Sequence, residues 1–334
     1  MPFVFPPICV KKAPHGWLVP LDVRVRCAVP DKKIQDHIRY NINHGFPEIG
    51  VRQAHHDRMV IVASGPSLLD TWSFLKDLND HPNHKTLCVK SSHDFLIDRG
   101  IVPDFCILLD GREHVKEMFK PHPEVTYLVA SMCAESTLEY LKSQKCNIVV
   151  WHAAVGANEK EVIKRKHVII GGGSTSPLRA MPLGATMGFR SFMFFGLDSS
   201  YDTQGRKVHF YLDTKKQDGT ERAVQVVSAG KKFLTTPEMI GQAQDFEALL
   251  THPNTPRIEI YMVGDGLNKH RFDNRVYFPT DQFEMNNKPF YSAYQQNLVK
   301  QTNKPDREEM EKKKEREYDP NPLKPGVGRF REAA

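Results

Sequence analysis

Short apolar runs recur along the chain from residue 58 onward, separated by amphipathic stretches and turn residues. They are MVIVA (59–63), TLCVK (86–90), FCILL (105–109), TYLVA (126–130), NIVVW (147–151), HVIIG (167–171), FMFFG (192–196) and RIEIYMV (257–263). Runs that are apolar without strict alternation are typical of strands covered on both faces. The pattern therefore predicts the buried strands of a parallel sheet.

Helix-like segments lie between most of these runs. They are SLLDTWSFLKDL (67–78), EHVKEMFK (113–120), AESTLEYLKS (134–143), PLRAMPLGATMG (177–188) and PEMIGQAQDFEALL (237–250). Strands that alternate with helices favour βαβ connections between parallel neighbours. We therefore expect an α/β fold: a Rossmann-like, doubly wound, mainly parallel sheet with a polar insertion and terminal appendages.

Changes in composition divide the chain into three parts. Residues 1–57 form a proline-containing N-terminal appendage with one amphipathic helix, DKKIQDHIRYNI, for which Asp31 is the expected cap. Residues 58–285 form the α/β domain, interrupted after Asp198 by a polar stretch that reaches about Lys232 and is expected to cover a sheet edge or act as a lid. Residues 286–334 form a charged C-terminal tail, either an exposed helix or a solvated segment.

Composition narrows the class of protein. The 334 residues are 40% hydrophobic and 26% charged, which excludes collagen-like, fully disordered and disulfide-scaffold proteins. A formal charge of +6 suits an anionic ligand without indicating nucleic acid as a partner, and oligomerisation stays open. The six cysteines are scattered without CxxC spacing, and no apolar stretch approaches bilayer length. We therefore expect a cytoplasmic protein with no membrane partner.

The first candidate site follows MVIVA, because ligands of open α/β sheets bind at the carboxyl ends of the strands. Ser64, Gly65, Pro66 and Ser67 stand there, where small residues would let backbone amides approach a phosphate at the start of the next helix. A tight turn capped by Ser67 explains the same tetrapeptide.

A second small-residue loop follows VII and again enters a helix. It runs from Gly171 to Ser176, and the candidate phosphate-binding residues within it are Gly172, Gly173, Ser174 and Thr175. No lysine follows the glycines, and the GxGxxG spacing is absent, so neither the P-loop nor the dinucleotide fingerprint applies. A flexible glycine turn is the alternative interpretation.

Two carboxylates follow predicted strands. Asp110 comes after FCILL and Asp198 comes just past FMFFG, so both are expected at the same rim. They are the candidate catalytic residues and the candidate Mg²⁺ ligands, because carboxylates hold Mg²⁺ against phosphate oxygens or act as a general base. A helix cap or turn former is the alternative for each.

Three histidines are candidates for binding the acceptor or acting as a base. His93 follows TLCVK, His152 follows NIVVW, and His209 lies with Tyr211 in the polar insertion. Structural roles explain each of them as well.

Five segments taken together carry a resemblance to a known family. They are VIVASGPSL (60–68), IVPDFCILLD (101–110), IIGGGSTSPLRAMPLGATMGFRSFMFFGLDSS (169–200), KKFLTTPEMI (231–240) and IEIYMVGDGL (258–267). In this order they resemble the 6-hydroxymethylpterin diphosphokinase MptE-like family, whose relatives include bacterial motility-associated factors and, more distantly, bacterial sialyltransferases. The resemblance implies a Rossmann-like fold, with the SGPS and GGGST loops lining a nucleotide site and with Asp110 and Asp198 as its acids.

The resemblance also implies transfer chemistry on a nucleotide. The leading expectation is Mg²⁺-dependent transfer of pyrophosphate from ATP to a hydroxymethyl, pterin-like acceptor. A glycosyltransferase that uses a CMP- or UDP-sugar donor is the first alternative, and a non-catalytic nucleotide-binding module is the second. The expected partners are thus a nucleotide and a small-molecule acceptor.

Overall fold

The computed structural model describes residues 29–155, 160, 162, 167–202, 224–251, 255–274 and 283–284. The chain divides into two units, 1–287 and 288–334, and every described residue belongs to the first. The predicted C-terminal tail lies outside the described residues, as do His209 and Tyr211.

A parallel sheet forms the centre of the first unit. Its strands are β1 (Arg58–Val62), β2 (His84–Val89), β3 (Phe105–Leu108), β4 (Thr126–Ala130), β5 (Asn147–Ala153), β6 (Ile169–Ile170), β7 (Ser191–Phe195), β10 (Ile258–Val263) and β11 (Phe283–Glu284). They lie in the order β11-β10-β7-β1-β2-β3-β4-β5-β6, and every neighbouring pair is parallel. A separate antiparallel hairpin joins β8 (Val224–Ser228) to β9 (Lys231–Thr235).

Helices connect most of these strands. They are α1 (Asp31–Asn43), α2 (Leu68–Asn79), α3 (Lys90–Ile97), α4 (Glu135–Ser143), α5 (Ser176–Thr186), α6 (Pro237–Thr251) and α7 (Leu267–Asp273), with a 3₁₀-helix over Glu113–Glu117. The predicted α/β class and Rossmann-like sheet are confirmed. No helix in the described part of the chain is long and apolar enough to span a membrane.

The chain reverses its direction across the sheet beside β1. From β1 it moves outward through successive strands to β6 and then returns to β7, which pairs with the other side of β1 in register from Arg58 with Ser191 to Val62 with Phe195. Such a reversal leaves a crevice at the carboxyl ends of the two neighbouring strands, where open α/β sheets bind ligands.

The predicted strands and helices agree with the observed ones apart from local differences. EHVKEMFK forms only the short 3₁₀-helix, and the pattern did not predict α3 or α7. Helix α3 begins at Lys90, directly after β2, and buries Ser91, Ser92 and His93. Its polar buried residues hide the apolar periodicity that signals a helix.

The described part of the N-terminal appendage packs on the sheet domain. Helix α1 buries Ile34 and Ile38, and Asn41 donates hydrogen bonds to the carbonyls of Ser131 and Cys133 beyond β4. Pro30 occupies the N-cap position, and Asp31, the expected cap, is the first helical residue. An isolated parallel bridge between Glu48 and Val150 then places residues 47–49 along β5.

Candidate functional site

Three loops meet at the crevice beside β1. The Gly65 amide donates to the Gly196 carbonyl (2.8 Å), which joins the loop after β1 to the loop after β7. The Asn268 amide donates to the Asp198 carbonyl (3.2 Å), which attaches the start of α7 to the same place. The loops that follow β1 and β7 therefore lie side by side at the carboxyl ends of their strands.

Asp198 lies in the interior of this junction, 4% exposed. Its Oδ2 accepts a hydrogen bond from the Ser67 amide (2.8 Å), and its Oδ1 accepts one from the Ser67 hydroxyl (2.6 Å). Burial raises the pKa of Asp198 to about 6, although the hydrogen bonds from Ser67 work in the opposite direction. Ser67 is the N-cap residue of α2, yet its hydroxyl donates a hydrogen bond to Asp198 and does not cap the helix.

Glycines make the close approach to Asp198 possible. A Cβ at Gly65 would lie 2.5 Å from Asp198 Oδ2, and a Cβ at Gly266 would overlap the backbone of Asp198. Ser64 is buried in the same junction. The small residues of the first loop therefore allow that loop to pack closely against the loop after β7. The Ser67 amide already donates its hydrogen bond to the buried Asp198 carboxylate.

The second loop is held from beneath by a buried arginine. Arg179 of α5 donates to the carbonyls of Gly173 (2.7 Å), Ile170 (2.9 Å) and Ala154 (3.1 Å). Burial lowers the pKa of Arg179 to about 10, and the nearby Asp245 opposes that shift. The guanidinium thus fixes the path of the glycine run.

The backbone of this loop leads into α5, whose N-cap residue is Thr175. The Ser174 amide donates to Asp245 of α6 (2.8 Å). Within the described ranges, no acceptor contacts the amides of Gly172, Gly173 or Thr175. These amides lie just before α5, where the helix N-terminus adds a partial positive charge, so this loop can bind an anion.

Asp110 follows β3 at the same end of the sheet, between two cations. It accepts a hydrogen bond from Lys90 Nζ (2.6 Å), and Arg112 contacts both carboxylate oxygens, with Nε at 2.9 Å from Oδ1 and Nη2 at 2.6 Å from Oδ2. Burial raises the pKa of Asp110, but the hydrogen bonds from Arg112 and Lys90 outweigh it and hold the pKa well below its ordinary value. The cluster carries a net positive charge at a partly exposed position.

Asp110 and Asp198 are not brought together. The strands β1 and β2 lie between β3 and β7, and three steps of about 4.8 Å put the two strand ends roughly 14 Å apart. Ligands of one Mg²⁺ ion bind at about 2.1 Å from the ion. The pair therefore does not fit a shared ion, and both carboxylates already accept hydrogen bonds from the protein.

The candidate histidines have separate environments. His93 is buried, and its ring nitrogens contact Asp94 Oδ1 (2.7 Å) and the Tyr127 hydroxyl (2.9 Å), which indicates a structural role. His152 is also buried, at the end of β5. His209 lies outside the described residues.

Sequence reasoning missed four residues that shape these loops. Lys90, Arg112, Arg179 and Asp245 were not among its candidates. Lys90 and Arg112 carried a usable signal, because Lys90 directly follows TLCV and Arg112 stands two residues past Asp110. Arg179 and Asp245 lie inside helical patterns that gave no such signal.

Comparisons with known proteins identify the family and a solved structure of similar fold. The family model of the 6-hydroxymethylpterin diphosphokinase MptE-like family matches residues 32–204, which include both small-residue loops. No curated protein matches the chain. The structure of the MAf glycosyltransferase from Magnetospirillum magneticum AMB-1 is similar, with a TM-score of 0.52 and 14% identity. That similarity covers 76% of this chain but only 42% of the glycosyltransferase, and it shows a shared fold. Because the family model matches more than half of its residues, the chain belongs to the 6-hydroxymethylpterin diphosphokinase MptE-like family.

Proposed function

We propose that the protein is a nucleotide-dependent transferase that moves pyrophosphate from ATP to a hydroxymethyl group of a pterin-like acceptor. Membership of the family supports a transferase. The observation that carries the proposal is the loop from Gly172 to Thr175, which leads into α5 and in which the amides of Gly172, Gly173 and Thr175 have no acceptor among the described residues. Backbone amides at a helix start are suited to phosphate oxygens.

In this proposal the cations that follow β2 and β3 add a second region of positive charge at the same end of the sheet. Lys90 and Arg112 are held by Asp110 at the carboxyl end of the sheet, and the Arg112 side chain is partly exposed. When a nucleotide binds, its phosphate oxygens would contact these two cations in place of water. Because Asp110 already holds both side chains in position, they would move little on binding. Asp110 then acts as a positioning residue for two cations.

The proposed reaction needs positioning and charge neutralisation more than a covalent intermediate. The acceptor hydroxyl oxygen attacks the β-phosphorus of ATP, and the bond between that phosphorus and the oxygen bridging to the α-phosphate breaks. AMP leaves with that bridging oxygen, and the hydroxyl proton passes to solvent or to a base. In this proposal the amides of the loop stabilise the charge that develops on the phosphate oxygens, and the two cations attract the anionic donor to the same end of the sheet.

In this proposal Mg²⁺ binds to the protein together with the nucleotide. Asp110 and Asp198 are too far apart and too fully hydrogen-bonded to hold one ion between them. Mg²⁺ commonly keeps several waters and binds through substrate phosphates, with few protein ligands. When bound, it would neutralise part of the phosphate charge.

The test is ATP binding and turnover by Lys90→Met beside a matched control. Lys85 forms a comparable ion pair with Asp104 (2.9 Å) at the opposite end of the same strand. We expect Lys90→Met to weaken Mg-ATP binding at least tenfold by calorimetry and Lys85→Met to leave it unchanged. Release of AMP that depends on a hydroxymethylpterin would support the reaction, and equal effects of the two variants would contradict the site.

A glycosyltransferase is the second candidate, because the fold is shared with the MAf glycosyltransferase. The same calorimetric experiment with CMP- and UDP-sugars separates the two. Binding of a nucleotide sugar without binding of ATP would favour glycosyl transfer. Binding of a nucleotide without turnover of either donor would favour a non-catalytic module.

A further inference from the structure

Three potential metal ligands meet at the outer edge of β5. Glu48, His152 and His167 each offer one ligand atom, and these atoms lie within 4.8 Å of one another. Glu48 Oε2 lies 3.3 Å from His152 Nε2 and 2.5 Å from His167 Nδ1. The two imidazole rings have centroids 4.6 Å apart.

The fold brings these residues together from three distant segments. Residues 47–49 pair with β5 at Val150, and β6 continues along the same edge by pairing with His152 and Ala153. His167 enters just before β6. The backbone pairing of both neighbours with β5 therefore fixes the position of the cluster.

The central ligand is a buried histidine with a ring nitrogen that has no hydrogen-bond partner. His152 is 1% exposed, and its Nε2 makes no hydrogen bond to the described residues, although Glu48 Oε2 lies 3.3 Å away. Its Nδ1 lies 3.0 Å from Ser131 Oγ. When Nδ1 carries the ring proton and donates it to that hydroxyl, the Nε2 lone pair faces Glu48, an arrangement that a cation between them would stabilise.

We propose that Glu48, His152 and His167 bind a divalent transition metal ion of the Zn²⁺ class. Two imidazoles and one carboxylate are the ligand types that select such ions over Mg²⁺. With metal–ligand bonds of about 2.0–2.1 Å, tetrahedral ligand atoms lie roughly 3.3 Å apart, close to the separation of His152 Nε2 and Glu48 Oε2. The shorter contact between Glu48 and His167 would open when the ion replaces the proton between them.

Three protein ligands leave one tetrahedral position for water or a substrate atom, as in catalytic zinc sites. The Glu48 and His167 side chains are partly exposed, at 32% and 16%, which provides a route for the ion from solvent. This site is independent of the proposed nucleotide function, because it uses no residue of the two small-residue loops.

The experiment is Zn²⁺ titration of the metal-free full-length protein without nucleotide, read against a chromophoric chelator. We expect one tightly bound Zn²⁺ per chain. Glu48→Gln and His167→Gln should each weaken binding at least tenfold, and Ser131→Ala, which releases the His152 ring, should weaken it by a similar factor. Co²⁺ should give the intense visible absorption of a tetrahedral site.

His56→Gln is the matched control, since His56 is an exposed histidine outside the cluster. Circular dichroism of each variant separates loss of a ligand from loss of fold, and the partly exposed Glu48 and His167 keep the test meaningful if His152 variants unfold. Zn²⁺ affinity that is the same in wild type, Glu48→Gln and His167→Gln would overturn the proposal. A preference for Mg²⁺ over Zn²⁺ would also overturn it.

Discussion

Asp198 accepts two hydrogen bonds from Ser67, one from the backbone amide and one from the side-chain hydroxyl, across 131 positions of sequence. The two residues follow the neighbouring strands β1 and β7, at the point where the chain reverses its direction across the sheet. The Asp198 carboxylate therefore accepts the hydrogen bond of the Ser67 amide, which the sequence predicted would bind a phosphate. The same contact joins the two halves of the sheet at the carboxyl ends of their strands.

Replacing Asp198 should test the contribution of its hydrogen bonds with Ser67 to stability. Asp198→Ala leaves the buried Ser67 amide without an acceptor, and we expect a loss of about 3 kcal/mol in the free energy of unfolding. At pH 4.5 Asp198→Asn should cost about 1 kcal/mol, because the amide oxygen can accept from the Ser67 amide while its NH₂ donates to the Ser67 hydroxyl. Urea unfolding measures both, with the exposed Asp36→Ala as a near-neutral control. Equal losses for the two Asp198 variants would contradict the role of the hydrogen bonds.

The raised pKa of Asp198 predicts a pH dependence of stability. Its folded pKa of about 6 lies above the ordinary value of 3.8, so its contribution is fully present below about pH 4 and is lost as the pH rises through 6. Between pH 4.5 and 7.5 this group should lower the free energy of unfolding by about 2 kcal/mol. The measurement is the difference between wild type and Asp198→Asn in urea at both pH values. A constant difference would show that the carboxyl has an ordinary pKa.

Arg179 should control the glycine loop. Arg179→Met removes a buried guanidinium that donates to three carbonyls, and we expect a loss of about 3–5 kcal/mol in the free energy of unfolding. Hydrogen exchange should rise most at residues 171–175. The control is Arg39→Met, because Arg39 is half exposed and pairs with Asp36 one helical turn away. Loss of stability without faster exchange in the loop would contradict the proposed function of Arg179.

The glycine run should tolerate alanine unequally. A Cβ at Gly173 would lie 2.6 Å from Leu178 Cδ1, whereas a Cβ at Gly171 would meet open space. We therefore expect Gly173→Ala to cost roughly 1–3 kcal/mol and Gly171→Ala to stay within about 0.5 kcal/mol. Thermal unfolding of the two variants measures the difference. Similar melting temperatures would show that Leu178 moves aside without cost.

The pattern of apolar runs was enough to predict the sheet. MVIVA, TYLVA and FMFFG lie within one residue of β1, β4 and β7, because a strand buried on both faces needs consecutive apolar side chains. The same pattern located the two small-residue loops at strand ends. A strand and the turn after it are decided over a few neighbouring residues, so the sequence alone determined them.

The partners of the polar groups were decided only by the tertiary structure. Asp110 and Asp198 carry the same signal in the sequence, yet one meets Lys90 and Arg112 and the other meets Ser67. The Glu48, His152 and His167 cluster likewise depends on which segments pair with the edge of β5. Hydrogen bonds and ligand contacts reach about 3 Å, so they exist only once strand order has placed distant residues side by side.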